Sequence, residues 1–276
     1  LKGSGGEAGL QSATFGGGVE YNEAPAARRT AAAVDRTARS QTLVVETDPG
    51  FGAIKKADFR GNVRFTDGPD FVAEAQQGIY DIAADRLDLT PAAGQPGPAS
   101  PTVTDGNVNV AARTIQFGLS SREMSAETAV RSTIQPRRST DRPIDRSADG
   151  PKVPGMLSQD EPVNVTSNRL SYKGKDSAAV YSGNVTLWQG ADTTIKGPMV
   201  TIDDRNGNLV ATGGVTTSFI IQDAASKGEK GKTQTTIGSA ESFTYDDAKR
   251  LATYTGKANL RGPQGELPDS IEAILQ

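Results

Sequence analysis

The sequence contains no cysteine and no histidine. The first absence removes disulfides, thiolate nucleophiles and thiolate metal sites; the second removes the commonest general base and the imidazole metal ligand. Most familiar catalytic arrangements and zinc sites of the usual ligand types are thereby excluded, and no cofactor or metal is expected. Aromatic residues make up 5% of the 276 positions and hydrophobic residues 35%, a lean apolar supply. No apolar run approaches the roughly 20 residues that a membrane-spanning helix needs. A strong charge of either sign is missing too, since the net charge is −3 and the isoelectric point about 5.2. Without a basic field there is no electrostatic footprint for a nucleic-acid partner. The lack of cysteine fits an exported or a cytosolic chain equally and leaves the compartment open.

What the chain has in quantity is turn-formers, 31 glycines and 15 prolines. With few long helix-like patterns, this composition reads as all-β with loose connections. Residues 91–101 (PAAGQPGPASP) read as a linker. A longer one, from about 131 to 161, carries RRSTDRPIDRSADGPKVPG, which mixes charge, proline and serine without apolar periodicity, as disordered connectors do. The expected organisation is therefore a β module over 10–130, a connector over 131–160 and a second β module over 161–276. Residues 26–39 (AARRTAAAVDRTAR) have helix-forming composition but no apolar stripe, and read as a surface loop. Residue 1 is Leu rather than Met, which suggests that a targeting segment or membrane anchor precedes it.

Comparison of the chain with itself is the informative step. A pattern of small, apolar, Gly, Val and apolar residues at alternate positions appears as Ala13, Phe15, Gly17, Val19, Tyr21, as Ala57, Phe59, Gly61, Val63, Phe65, and as Ala179, Tyr181, Gly183, Val185, Leu187. A fourth copy is Ala252, Tyr254, Gly256, Ala258, Leu260, and weaker ones run Thr102, Thr104, Gly106, Val108, Val110 and Leu209, Ala211, Gly213, Val215, Thr217. A second pattern, small-x-x-apolar-x-apolar, largely alternates with the first: Ser40, Leu43, Val45; Ala112, Ile115, Phe117; Ser167, Leu170, Tyr172; Gly197, Val200, Ile202; and Ala240, Phe243, Tyr245. Turn chemistry separates many copies, at Thr66-Asp67-Gly68-Pro69, Lys173-Gly174-Lys175, Asp203 to Gly207 and Asp246-Asp247.

A period of two places successive side chains on opposite faces of a sheet. One face collects alanine, aromatics, glycine and valine. The other collects Asp58, Arg60, Asn62 and Arg64 in one copy and Ser182, Asn184 and Thr186 in another. This alternation predicts antiparallel sheets with one face on water and one on an apolar interior. Glycine weakens a strand interior, so its recurrence needs a cause. It either marks a bend where the sheet curls or leaves room for the neighbouring ring, inside a core that is filled or partly open.

Other signals are weaker. Asp203, Asp204, Asn206 and Asn208 are oxygen-rich, but the terminal bidentate acid and flanking helices of an EF-hand are missing, so the segment reads as a hairpin turn. Gly213-Gly214 is no phosphate cradle, since no Gly-Lys-Ser/Thr follows. Trp188 falls on the polar parity of its strand. The carboxylates sit at turns rather than in a repeated cluster, which argues against a solenoid glycan hydrolase. The uneven spacing of copies argues against a structural β-solenoid or adhesin.

The stretch A-x-Y-x-G-N-V-x-L, followed by IKGPMVTID and then LVATGGV, resembles the OstA-like family of periplasmic lipopolysaccharide-transport proteins, which includes LptA, LptC and the N-terminal domain of LptD. The likeness is closest over 161–260, where EPVNVTSNRLSY resembles the opening strands of an LptA-type domain, and looser over 13–130, in the manner of LptC. The resemblance implies two tandem β-jellyrolls, open V-shaped antiparallel sandwiches, and no catalytic residues. It implies a lipid groove lined by Val185, Leu187, Val200, Ile202, Val215, Phe243, Tyr245 and Ala258, with Val63 and Phe65 in the first module. Its implied partners are lipopolysaccharide, other jellyroll proteins of the inner- and outer-membrane complexes joined by edge-strand stacking, and further copies of this chain; its implied location is the periplasm. The family's modules usually stand singly, so two in one chain leave the LptA-like and LptC-like roles both open.

Overall fold

The computed structural model describes residues 2–6, 9–23, 35–50, 52–91, 100–136, 152–191, 193–222, 233–262 and 265–275. Their regular structure is β-strand, as the alternating pattern predicts. The chain divides into two compact units, Leu1–Ala129 and Val130–Gln276.

The first unit is an antiparallel meander of β1 (Lys2–Gly6), β2 (Gly9–Glu23), β3 (Arg36–Thr47), β4 (Ile54–Asp67) and β5 (Phe71–Asp81). It continues through β6 (Arg86–Thr90), β7 (Thr102–Asp105), β8 (Val108–Ala111) and β9 (Thr114–Gly118) into the start of β10 (Glu123–Ile134). One half of β5 pairs with β6 and the other half with β7. The proline-rich 91–101 stretch therefore interrupts a single ladder position instead of joining domains; residues 92–99 lie outside the described residues. The second unit runs antiparallel through β11 (Val163–Lys173), β12 (Ala178–Gln189), β13 (Thr193–Asp203), β14 (Asn208–Gln222), β15 (Thr233–Asp246), β16 (Leu251–Gly262) and β17 (Gly265–Leu275).

Each long even-numbered strand carries two consecutive residues in the left-handed region: Gly17-Gly18, Gly61-Asn62, Gly183-Asn184, Gly213-Gly214 and Gly256-Lys257. At each pair the register shifts, as at Arg60/Val63 and Ser182/Val185, so two residues on one strand face one on the next. These β-bulges line up from strand to strand and form a hinge across each unit. On the bulged strands the inward side chains keep one parity through it, as from Phe59 to Val63, so that pattern runs through unbroken; on the partner strands the parity changes there, from Ala75 to Gly78 in β5.

The hinge folds each unit into two leaves. In the first unit Tyr21 pairs with Ala38 and Ala38 with Phe65, while Phe59 stands six residues further along β4, about 20 Å on an extended strand. The Tyr21 and Phe59 rings nevertheless meet at 5.6 Å. Phe65 meets Tyr80 at 5.5 Å and Phe71 meets Phe117 at 4.6 Å by the same folding. In the second unit Phe219, opposite Thr236, reaches Phe243 at 6.1 Å, although seven residues of β15 separate those positions. The core of each unit is the space between its leaves, and the first leaf of unit 1 holds 19–23, 36–40, 63–67, 71–75 and β7–β8.

Four expectations need correction. The repeated glycine does not face inward: a Cβ on Gly61 would meet Gln41 at 2.4 Å and one on Gly213 would meet Pro198 at 3.0 Å, both exposed neighbours on the outer face. The weak copy at 102–110 is not one strand but the β7–β8 hairpin, turning at Gly106. The copy that belongs to this part of the meander is β10, whose left-handed pair is Thr128-Ala129 and contains no glycine. Finally, residues 36–39 open β3 rather than forming a loop; residues 24–34 lie outside the described residues. Of the expected 131–160 connector, residues 131–134 are strand and 152–158 fold against the second unit, with Val153 and Leu157 buried.

The hinge gives a direct stability test. Gly61→Val forces a β-branched residue to a φ of 78° and drives its side chain into Gln41, so a urea melt should show a loss of about 2 kcal/mol. Thr128→Gly, which relieves the same backbone conformation, should be neutral or stabilising.

Candidate functional site

The candidate site is the apolar interior between the leaves. Val185, Leu187, Val200, Ile202, Val215, Phe243, Tyr245 and Ala258 are each at most 6% exposed and share the inward parity, as do Val63 and Phe65 in the first unit. The structure therefore gathers the sequence-selected residues into the two interiors. Leu170, Tyr181, Ile195, Leu209 and Tyr254 belong to the same lining in the second unit. The aromatic and small residues alternate across the leaves: a Cβ on Gly238 would strike the Tyr254 ring at 2.5 Å, so this glycine is the berth of the opposing ring. The Tyr254 hydroxyl shares a 2.6 Å hydrogen bond with Thr217 Oγ1 across the leaves. Burial pushes the Tyr254 and Tyr181 hydroxyls up to about 12, against the lowering effects of Thr217 on the former and Ser132 on the latter, so both stay neutral in the interior.

The edges of the leaves opposite the hinge form a mouth, and the two units close it differently. In the first unit two arginines clasp the tips together. Arg36, 17% exposed on the first leaf, holds Asp67 at 3.1 Å beside it and donates to Asp85 at 2.7 Å and to the Tyr80 hydroxyl at 2.6 Å on the second leaf. Arg122, in the β9–β10 turn of the second leaf, approaches Asp67 and Asp105 of the first at 3.8 and 3.7 Å and lies over the Phe71 and Phe117 rings. Burial works against the Arg36 charge, but Tyr80, Asp85 and Asp67 outweigh it and raise its pKa. Sequence reading missed Arg36, because it sits in the segment taken for a loop.

In the second unit a peptide strap, residues 152–161, crosses the mouth. One end is fixed to the tip of the leaf that ends in the β13–β14 and β15–β16 turns. There Lys152 N–H donates to Asp204 O at 2.7 Å, Lys152 Nζ donates to Asn206 O at 2.9 Å and pairs with Asp247, and Gly155 N–H donates to Asp247 Oδ1 at 2.7 Å. The other end is fixed to the opposite leaf by Gln189, which points inward at 4% exposure. Its Oε1 accepts from Ser158 N–H at 2.6 Å, and its Nε2 donates to Ser158 O and Glu161 O at 2.8 and 2.7 Å. Between the anchors Val153 and Leu157 are 4% and 3% exposed and Pro154 is buried. An open depression of about 490 Å³ lies on the outer side of the hinge against Asn184, Lys196, Pro198 and Thr216.

Polar motifs settle as structural. Asp203 accepts from the Arg205 and Asn206 amides at 3.0 and 2.9 Å and from Asn206 Nδ2 at 2.7 Å, an Asx turn closing the β13–β14 hairpin. Among the described residues no cluster of three or more acidic side chains is placed to hold a metal.

This geometry, a folded antiparallel meander with an apolar interior and left-handed hinges, defines a class of β module that encloses apolar matter between two leaves. Residues 164–273 match the family model described as LptA/(LptD N-terminal domain) LPS transport protein. The match falls wholly in the second unit and runs from β11 into β17, so the likeness to that family is a likeness of this unit. No curated protein matches the chain. Among solved structures the chain is similar to LptH, the LptA-homologous periplasmic component of the lipopolysaccharide transport device from Pseudomonas aeruginosa, at 20% identity over 41% of this chain and 75% of that one, with a TM-score of 0.34.

Two measurements check the closures. Arg36→Met should cost about 3 kcal/mol in urea denaturation, because it takes from buried Asp67 its hydrogen-bonded partner and leaves only Arg122, 3.8 Å away, to offset the charge. In a double-mutant cycle with Asp85→Asn the costs should fall short of additive; strict additivity would mean the clasp carries no coupling. At the strap, burial tends to raise the Asp247 pKa, but the Lys152 ammonium and the Gly155 amide outweigh it and lower the net value. The anchor's contribution is therefore complete above the ordinary aspartate value near ~3.9 and is lost as pH falls through the lowered folded-state value. The Gly155 amide resonance should titrate with a midpoint below that ordinary value, and a midpoint at or above it would refute the anchor.

Proposed function

We propose that this chain is a non-enzymatic periplasmic component of lipopolysaccharide transport, carrying the acyl chains of the glycolipid in the apolar interior of its second unit. The observation that carries this reading is the coincidence of the family match with a unit whose inward face is mainly apolar, with Leu187, Val200, Val215, Phe243 and Tyr245 all buried along it. Acyl chains need such a surface, since each buried methylene contributes roughly 0.8 kcal/mol. The head group, with its phosphates and sugars, stays in water at the mouth. A neighbouring jellyroll, of this chain or of a partner in either membrane, joins by strand addition at an edge strand. Directional movement comes from elsewhere, because the sequence carries no nucleotide-binding motif.

A solenoid reading is disfavoured by one observation. Coils of a β-helix stack in parallel, whereas the paired strands described here are antiparallel hairpin neighbours.

Photo-crosslinking to purified lipopolysaccharide tests the proposal, with the probe at inward Val185, Ile202 or Phe243 and at exposed Asn184 as control. Labelling from the inward set alone is expected. Equal labelling from Asn184, or none from any position, would leave the interior as an ordinary filled core and overturn the reading.

A further inference from the structure

We infer that the strap formed by residues 152–161 is a displaceable occupant of the lipid mouth of the second unit, standing in for an acyl chain until one arrives. The inference rests on the lipid-carrying reading above and adds where the lipid enters and what it must expel.

Three features of the strap support displacement. It crosses from one leaf tip to the other, so while it is seated it covers the mouth above inward side chains that are fully buried, Val200, Leu187 and Phe243 among them. Its grip on the interior is small, since only Val153, Pro154 and Leu157 are buried along it. A full acyl chain removes more apolar surface from water than those three side chains, so it competes successfully for the same space. Its near anchor is also of a kind that water can replace, whereas the far anchor, on buried Gln189, is the stronger. Lys152 is half exposed, and its bonds run to a turn carbonyl and to the Asp247 carboxylate. In the first unit the equivalent closure is made by Arg36 and Arg122 directly between the leaves, with Asp67 at 5% exposure. That clasp shuts a mouth for good, whereas a peptide strap shuts one reversibly. The two units thereby take different roles: the first is a closed structural module and the second is the loading module.

The strap is continuous with β11 at its far end, so a single added bond at its near end traps it. A Cβ at position 155 lies 3.6 Å from the Asp247 Cγ, and the chain has no cysteine of its own to interfere. The double variant Gly155→Cys, Asp247→Cys therefore locks the strap when oxidised and frees one anchor when reduced. If a seated strap blocks entry, apparent affinity scales with the open fraction, and a strap open one-tenth of the time or less gives a change of about tenfold or more.

The test uses the full chain and purified lipopolysaccharide, reading labelling from a photo-probe at Ile202 in the wild-type background and in oxidised and reduced forms of the double variant. The expected result is binding at least about tenfold weaker in the oxidised form than in the reduced form, restored on adding reductant, which also shows that the locked protein was folded. In the wild type, the amides of Gly155, Leu157 and Ser158, all hydrogen-bonded in the seated strap, should lose exchange protection as lipopolysaccharide is added. Equal labelling of oxidised, reduced and wild-type protein, with strap protection retained, would overturn the strap inference and leave the conduit reading standing. No labelling in the wild type or in either form of the double variant would overturn the conduit reading, and the strap inference with it.

Discussion

The structure depends on one backbone constraint: strands of eleven to fifteen residues cannot double over without leaving the extended region of φ/ψ space. Here each long even-numbered strand leaves it in two consecutive residues of positive φ, which break the register by one residue and let the ladder resume beyond. Because the bulges align on neighbouring strands, the ladder bends along a line, and each strand contributes to both leaves. Left-handed conformations cost a residue with a side chain about 1 to 2 kcal/mol, and the glycines remove that cost at most of these positions. The cross-leaf ring pairs, the burial of the apolar stripe and the existence of a mouth all follow from this line.

Once the leaves face each other, the chemistry of closure separates the two units. Apolar contacts between leaves are non-directional and would hold them at whatever separation fills the space. The tips are where direction enters. Arg36 and Arg122 meet carboxylates on the opposing leaf, and such charge-assisted bonds, half withdrawn from water, fix the spacing of the first unit. In the second unit the span between tips is filled by chain, and the spacing is set by the thickness of a peptide bearing valine, proline and leucine. A closure made of peptide has a thickness comparable with that of an extended hydrocarbon chain, which is the physical link between the strap and the proposed cargo.

Particular elements show how far the sequence could be read. The copies at 57–65, 179–187, 209–217 and 252–260 are each a strand crossing the hinge, because inward parity persists through a two-for-one bulge. The copy at 102–110 misled, since a short hairpin mimics the same alternation of small and branched residues. β10 stayed hidden because Thr128 and Ala129 adopt the hinge conformation without glycine, held there by their neighbours; the Arg113 amide donates to Thr128 O at 2.9 Å. The strap segment reads as a connector by composition, and its burial comes from anchors at Asp247 and Gln189 that lie 92 and 31 residues away in the chain.

By itself the sequence determined most of the strands, their inward residues, the absence of thiol and imidazole chemistry and the family likeness of the second unit. These are local or compositional properties, carried by a period of two and by residue type. Tertiary structure alone decided that the recurring glycines form a hinge instead of packing inside, that Arg36 and Arg122 lock one mouth, and that residues 152–161 cover the other. Those outcomes depend on groups brought together from distant points of the chain, and pairings between leaves leave no periodic trace in the order of residues.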